Sequence, residues 1–138
     1  RVDRRQRQMC IRDRYYIKKL LKKLSADTIT SQTPTIVFAR DPKCDLAEFK
    51  LDDLSCYGMF TSVNRTHAMN IFEGSQSLQG NLDPKILLED NKVIKESVSK
   101  IISDFADYPG FIFNLGHGIT PDIDPDKVKV LVDAVREN

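Results

Sequence analysis

Three Asp-Pro pairs, at 41–42, 83–84 and 124–125, each follow a segment with strand character. Proline lacks a backbone N–H and has φ set near the helical value, so it suits the first position of a helix and disrupts the interior. An aspartate just before it can accept from the free N–H groups of the first turn. Asp83 and Asp124 therefore read as helix N-caps, with Pro84 and Pro125 as first helical residues. Strand, loop and capped helix, repeated along one chain, point to a parallel sheet covered by helices.

The apolar pattern between these marks agrees. Ile17, Leu20, Leu21 and Leu24 fall at helical spacing within 16–24, with lysines between them. Thr35 to Ala39 is a short β-branched run, as expected of a buried strand. Asp45 to Leu54 is expected to be a helix, Tyr57 to Val63 and Gln76 to Gln79 weaker strands, and Thr66 to Phe72 a helix between them. Ile94, Val98, Ile101, Ile102 and Phe105 mark one face of a long helix. Phe111 to Leu115 is the next strand, and Val128, Leu131, Val132 and Val135 stripe the last helix. The fold class is thus α/β, with parallel strands alternating with helices. Four such units are about half of an eight-stranded (β/α) barrel, whose usual length is about 250 residues.

Composition narrows the function classes. The 138 residues could bury the core of one modest domain, and the net charge of +1 calls for no strongly acidic or basic partner. No apolar run approaches the roughly 20 residues of a membrane span. Three cysteines without close spacing, Cys10, Cys44 and Cys56, argue against a disulfide framework or a zinc knuckle. They fit a reducing compartment, the cytoplasm or a plastid. Residues 1–14 hold six arginines and no lysine, whereas the other 124 hold three arginines and twelve lysines. That switch sets 1–14 apart as a non-native or disordered leader and leaves 15–138 as the folded domain. Without the leader, 15 basic residues face 18 acidic ones. As a nucleic-acid arm the leader lacks aromatic residues for stacking, so no nucleic-acid partner is expected.

The chemistry concentrates where strands end. In Phe111-Ile-Phe-Asn-Leu-Gly-His-Gly118 an apolar run stops at a glycine and presents one titratable side chain. His117 is one of two histidines, and histidine changes charge most readily near neutral pH. It could equally be a turn histidine bound to a backbone carbonyl. Gly116 and Gly118 could allow a tight turn or let the backbone approach a ligand. Asn81 reads as a turn residue or a substrate contact, and His67 lies on a polar helix. Asp122, Asp124 and Asp126 imitate a calcium loop, but Lys127 replaces its glycine and Asp133 its closing glutamate, so helix capping explains them better.

Taken together, Ser77-Leu-Gln-Gly-Asn-Leu-Asp-Pro84, followed by Phe113-Asn-Leu-Gly-His-Gly118 and Pro121-Asp122, resembles the uroporphyrinogen decarboxylase family. Asp124-Pro-Asp-Lys-Val128 and Leu131-Val-Asp-Ala-Val135 resemble its final helix, and Thr35-Ile-Val-Phe-Ala-Arg-Asp41 an earlier strand. The likeness runs over residues 15–138. It implies the C-terminal half of a (β/α)8 TIM-type barrel, from an enzyme more than twice this length. The family converts uroporphyrinogen to coproporphyrinogen in heme and porphyrin biosynthesis, removing four acetate carboxyl groups without metal or organic cofactor. The resemblance implies that His117 stands in the substrate cleft and contacts a carboxylate, with Gly116, Gly118 and Asn81 beside it. It also implies a homodimer. The family's essential arginines and pyrrole-binding aspartate have no counterpart here, so the chain alone is expected to be inactive. At Gly58-Met59-Phe60-Thr61 the family usually shows Gly-Leu-Asp-Trp, a departure in an acidic and an indole side chain.

Two other readings compete. The related corrinoid-dependent methyltransferases hold zinc with a histidine and two cysteines, but Phe38-Ala39-Arg40 and His117 do not supply those ligand types in place. An inactive half-barrel that binds a tetrapyrrole or a partner chain would expose two sheet edges and associate through them.

Overall fold

The computed structural model describes residues 15–27, 31–40 and 45–138. The expectations for the leader 1–14, for the Asp41-Pro42 turn and for Cys10 and Cys44 lie outside the described residues. A first helix, α1, spans 15–26. Strand β1 is Ile36–Phe38, β2 is Cys56–Gly58, β3 is Ser77–Gln79 and β4 is Phe111–Ile112. Helix α2 is Arg65–Phe72, α3 is Asn91–Asp104 and α4 is Pro125–Glu137. The strands form one parallel sheet in chain order, β1-β2-β3-β4. A parallel bridge between Leu82 and Leu115 carries the β3–β4 pairing past the strand ends.

The two Asp-Pro caps lie where the sequence puts them. The Asp124 carboxylate accepts from the Asp126 N–H at 2.9 Å at the start of α4. The Asp83 carboxylate accepts from Lys85 N–H at 2.9 Å, but the element it opens is a 3-10 helix, Pro84–Leu88. The α-helix α3 begins only after Asp90.

Pleating gives the sheet two faces. Val37, Tyr57, Leu78 and Phe111 stand in register on one of them. That face carries the core: Tyr57 lies between the rings of Phe49 and Phe72, with centroids 5.2 and 5.3 Å away. Phe111 stacks on Phe105 at 4.1 Å. The α3 stripe is buried as its spacing requires, with Ile94, Val98, Ile101 and Phe105 all inside. Helix α3 packs against α4, which buries Leu131 and Ala134, while Val132 stays exposed.

The other face carries Ile36 and Phe38 from β1, Gly58, Gln79 and Ile112. Ile36, Phe38 and Ile112 are 50, 48 and 40 % exposed. The expectation of a buried strand at 35–39 therefore fails for its inner-facing side chains. As β1 is an edge strand, among the described residues only the helical side covers it.

Three expected elements are shorter than the sequence implied, one of them the strand over 111–115, which ends at Ile112. In place of a helix over 45–54 there is a single 3-10 turn, Leu46–Phe49. Leu46, Phe49, Leu51 and Leu54 are all buried. On a continuous helix their spacing would spread them over about 200° of its circumference. The chain buries all four by leaving the helix at Lys50, with ψ at 89°. The expected strand Tyr57–Val63 stops at Gly58; Met59 makes one further bond, its N–H to the Gln79 carbonyl at 2.7 Å. The chain then turns, with Val63 N–H donating to the Phe60 carbonyl at 3.0 Å.

Candidate functional site at the strand ends

The loops after β2, β3 and β4 meet at the end of the sheet where parallel strands run out. This is the end at which (β/α) barrels place their chemistry. A cleft of about 530 Å³ opens there, lined by Phe38, Gly58, Met59, Gln79, Asn114 and His117, among others. It lies on the inner face, continuous with the exposed apolar side chains of β1.

His117 is half-buried at its rim. Its Nδ1 stands 2.8 Å from the carbonyl oxygen of Gly118. A carbonyl only accepts, so Nδ1 carries the proton and Nε2 is left for another partner. The turn-histidine geometry is therefore present, and it coexists with a place on the cleft wall. The imidazole also lies against the ring of Phe60, with centroids 5.6 Å apart and planes tilted by 32°. Phe60 reaches Phe38 on its other side, at 6.4 Å.

Gly116 and Gly118 differ. Gly118 is exposed, and a Cβ added there would meet nothing within 4 Å. Gly116 is buried beneath the β2 loop: a Cβ would come within 2.6 Å of the Thr61 N and Cγ2 atoms. Neither has positive φ. Close approach of another loop, not a tight turn, is what demands glycine at 116. Its N–H donates to the Leu82 carbonyl at 2.8 Å, which locks the β4 end to the β3 end.

Asn81 is 3 % exposed, and the cleft lining does not include it. Its amide donates to the carbonyls of Phe60 at 3.1 Å and Val63 at 2.9 Å. His67 lies exposed on α2 and takes no part in the cleft. The sequence reading passed over Gln79 and Asn114 as site residues, although both line the cleft. Their signal was the two-residue period: Gln79 and Ile112 are register partners, and Asn114 follows two residues on. Among the described residues no group of three or more His, Cys, Asp or Glu side chains clusters as a metal ion would require. No described helix is long and apolar enough to cross a membrane.

A parallel sheet with helices on one face and a cleft at its strand ends defines part of a (β/α) barrel. The uroporphyrinogen decarboxylase (URO-D) family model matches residues 12–138, and the chain belongs to that family. It is 34 % identical over 122 residues to the uroporphyrinogen decarboxylase of Alcanivorax borkumensis, covering 88 % of this chain and 35 % of that protein. Identity to that of Hahella chejuensis is 35 % over 122 residues, covering 88 % of this chain and 34 % of the relative. For Dichelobacter nodosus it is 39 % over 117 residues, covering 85 and 34 %. The chain thus spans about a third of the length of these curated relatives.

Proposed function

We propose that this chain is part of a uroporphyrinogen decarboxylase and supplies one wall of the cleft that holds the tetrapyrrole. The observation that carries this reading is the position of His117: at the strand ends, on the cleft wall, in a chain that belongs to the decarboxylase family over nearly its whole length. The chemistry needs little from a cofactor. Protonation of a pyrrole α-carbon makes the ring an electron acceptor; the acetate C–C bond then breaks and carbon dioxide leaves, the methylene carbon takes a proton to become methyl, and the α-carbon gives up its added proton to restore the pyrrole. The protein's task is to hold the negative side chains and the ring N–H groups in place.

His117 suits the first of these. With Nδ1 engaged by Gly118, Nε2 is the atom for a ligand. A carboxylate only accepts, so a hydrogen bond at Nε2 needs the doubly protonated imidazolium. Gly118 leaves open space beside it, and Gln79 and Asn114 add polar groups to the wall. The 138 residues alone should not turn over substrate. The acid for the pyrroles and the remaining cations belong to other parts of the barrel, and the homodimer is carried over from the family resemblance.

The test uses the full coding sequence. His117→Ala in the intact enzyme should fold and lose turnover by about tenfold or more, as expected for one charge-assisted hydrogen bond of about 1.5–3 kcal/mol. Coproporphyrinogen formation, read as porphyrin fluorescence after oxidation and chromatography, measures it. Undiminished turnover would remove His117 from the site.

A further inference from the structure

The Phe60–Val63 loop is held from two sides. Beneath it, the Asn81 amide donates to the carbonyls at both ends, Phe60 and Val63. Both neighbours are acceptors, so only the nitrogen of the amide can face them, and the side chain's orientation is unambiguous. Beside it, Gly116 lets the backbone of the β4 loop lie directly against Thr61. Phe60 is the loop residue whose ring faces His117, at 5.6 Å between centroids. Asn81 itself is buried away from the cleft lining. It is one residue from Gly80, whose N–H donates to the Ile112 carbonyl at 3.0 Å, so the clamp is anchored in the β3–β4 pairing.

We propose that Asn81 is a positioning residue for His117: its amide pins the Phe60–Val63 loop, and the pinned loop holds the Phe60 ring against the imidazole. This reassigns Asn81 from substrate contact to scaffold and makes the β2 loop, not only the β4 loop, a determinant of where the histidine points. Two charge-neutral, part-buried hydrogen bonds suffice to select one loop conformation when the alternative leaves the buried Asn81 amide without the acceptors it now has. Its weight for catalysis rests on the proposed role of His117; its geometry does not.

The experiment is NMR on the 138-residue chain. Only His67 and His117 contribute imidazole signals, and His67→Gln assigns them. An aromatic ring against an imidazole displaces its proton resonances. Phe60→Leu should abolish that displacement for His117, and Asn81→Ala should abolish most of it although Phe60 is still present. Gly116→Ala, which drives a methyl into Thr61, should do the same. Ile101→Val, a mild core change in α3, should leave His117 unmoved, separating positioning from general loosening. If Asn81→Ala keeps the wild-type His117 resonances, the proposal is overturned. Should neither loop variant fold, the unaltered chain still decides. The Asn81 side-chain amide protons should exchange far more slowly than those of exposed Asn70, with a Phe60–His117 ring contact; fast exchange or no contact sinks it. Full turnover by His117→Ala would defeat the decarboxylase role of the histidine and leave these spectra untouched.

Discussion

The two faces of this sheet are made of the same strands and are covered unequally: the inner face buries Cys56 and Gly58 of β2 but leaves its outer strands open. On the helical side Tyr57 and Leu78 are fully buried, and their neighbours Val37 and Phe111 pack against the core. On the inner side, one residue further along each strand, Phe38 and Ile112 are nearly half exposed and border a cleft. A parallel sheet ordinarily has both faces covered. The helical face is closed by segments of this chain; the inner face is shaped like the inside of a barrel of which about a third of the relatives' length is present. Stability should therefore reside on one face and function on the other.

The largest expected effect sets the faces against each other. Leu78→Ala should cost about 3 kcal/mol of unfolding free energy, because it opens a cavity in packed core. Ile36→Ala, half exposed on the inner side, should change it by no more than about 0.5 kcal/mol. Urea denaturation of both variants measures the contrast, and equal costs would mean that the inner face is covered in solution.

Tyr57 sharpens the same contrast through pH. Its hydroxyl is buried without a partner among the described residues, and burial pushes the phenol up from 10.0 to about 12. Below pH 10 folded and unfolded chains both hold the proton. Between 10 and 12 the unfolded chain releases it and the folded chain does not, so stability falls as pH rises, by about 1.4 kcal/mol per unit. Burial raises the Cys56 thiol too, which acts in the same direction. Tyr57→Phe should remove the phenol's share of this alkaline loss and gain about 1 kcal/mol at pH 7 by deleting an unpaired hydroxyl. Thermal melts of both proteins from pH 7 to 11 show it; parallel curves would mean that water reaches the hydroxyl.

The smallest effect concerns a helix end. Asp124→Ala should cost about 1 kcal/mol by leaving the first-turn N–H groups of α4 uncapped. Asp83→Ala, which opens only a 3-10 turn, should cost less. A matched pair of melting curves ranks them.

Much of this was legible in one dimension. The stripes of α3 and α4 follow from spacing, and the caps at Asp83 and Asp124 from the chemistry of an acceptor before a proline. The turn at Lys50 was missed by the expectation of a helix over 45–54, although apolar residues at 46, 49, 51 and 54 do not share one helical face. The motif around His117 pointed to the strand ends where the cleft opens, and the departure at Phe60-Thr61 fell on the loop that touches the imidazole. The role of Asn81 was not readable, because its partners Phe60 and Val63 lie about twenty residues away.

The sequence alone determined the parallel strand–helix repeat, the caps and the family, since each depends on neighbours within a turn or on motifs in order. Tertiary structure decided which glycine is needed, what Asn81 holds and which sheet face stays open. Those depend on which loop arrives against which, and no local pattern of apolar residues records the atoms that will cover it.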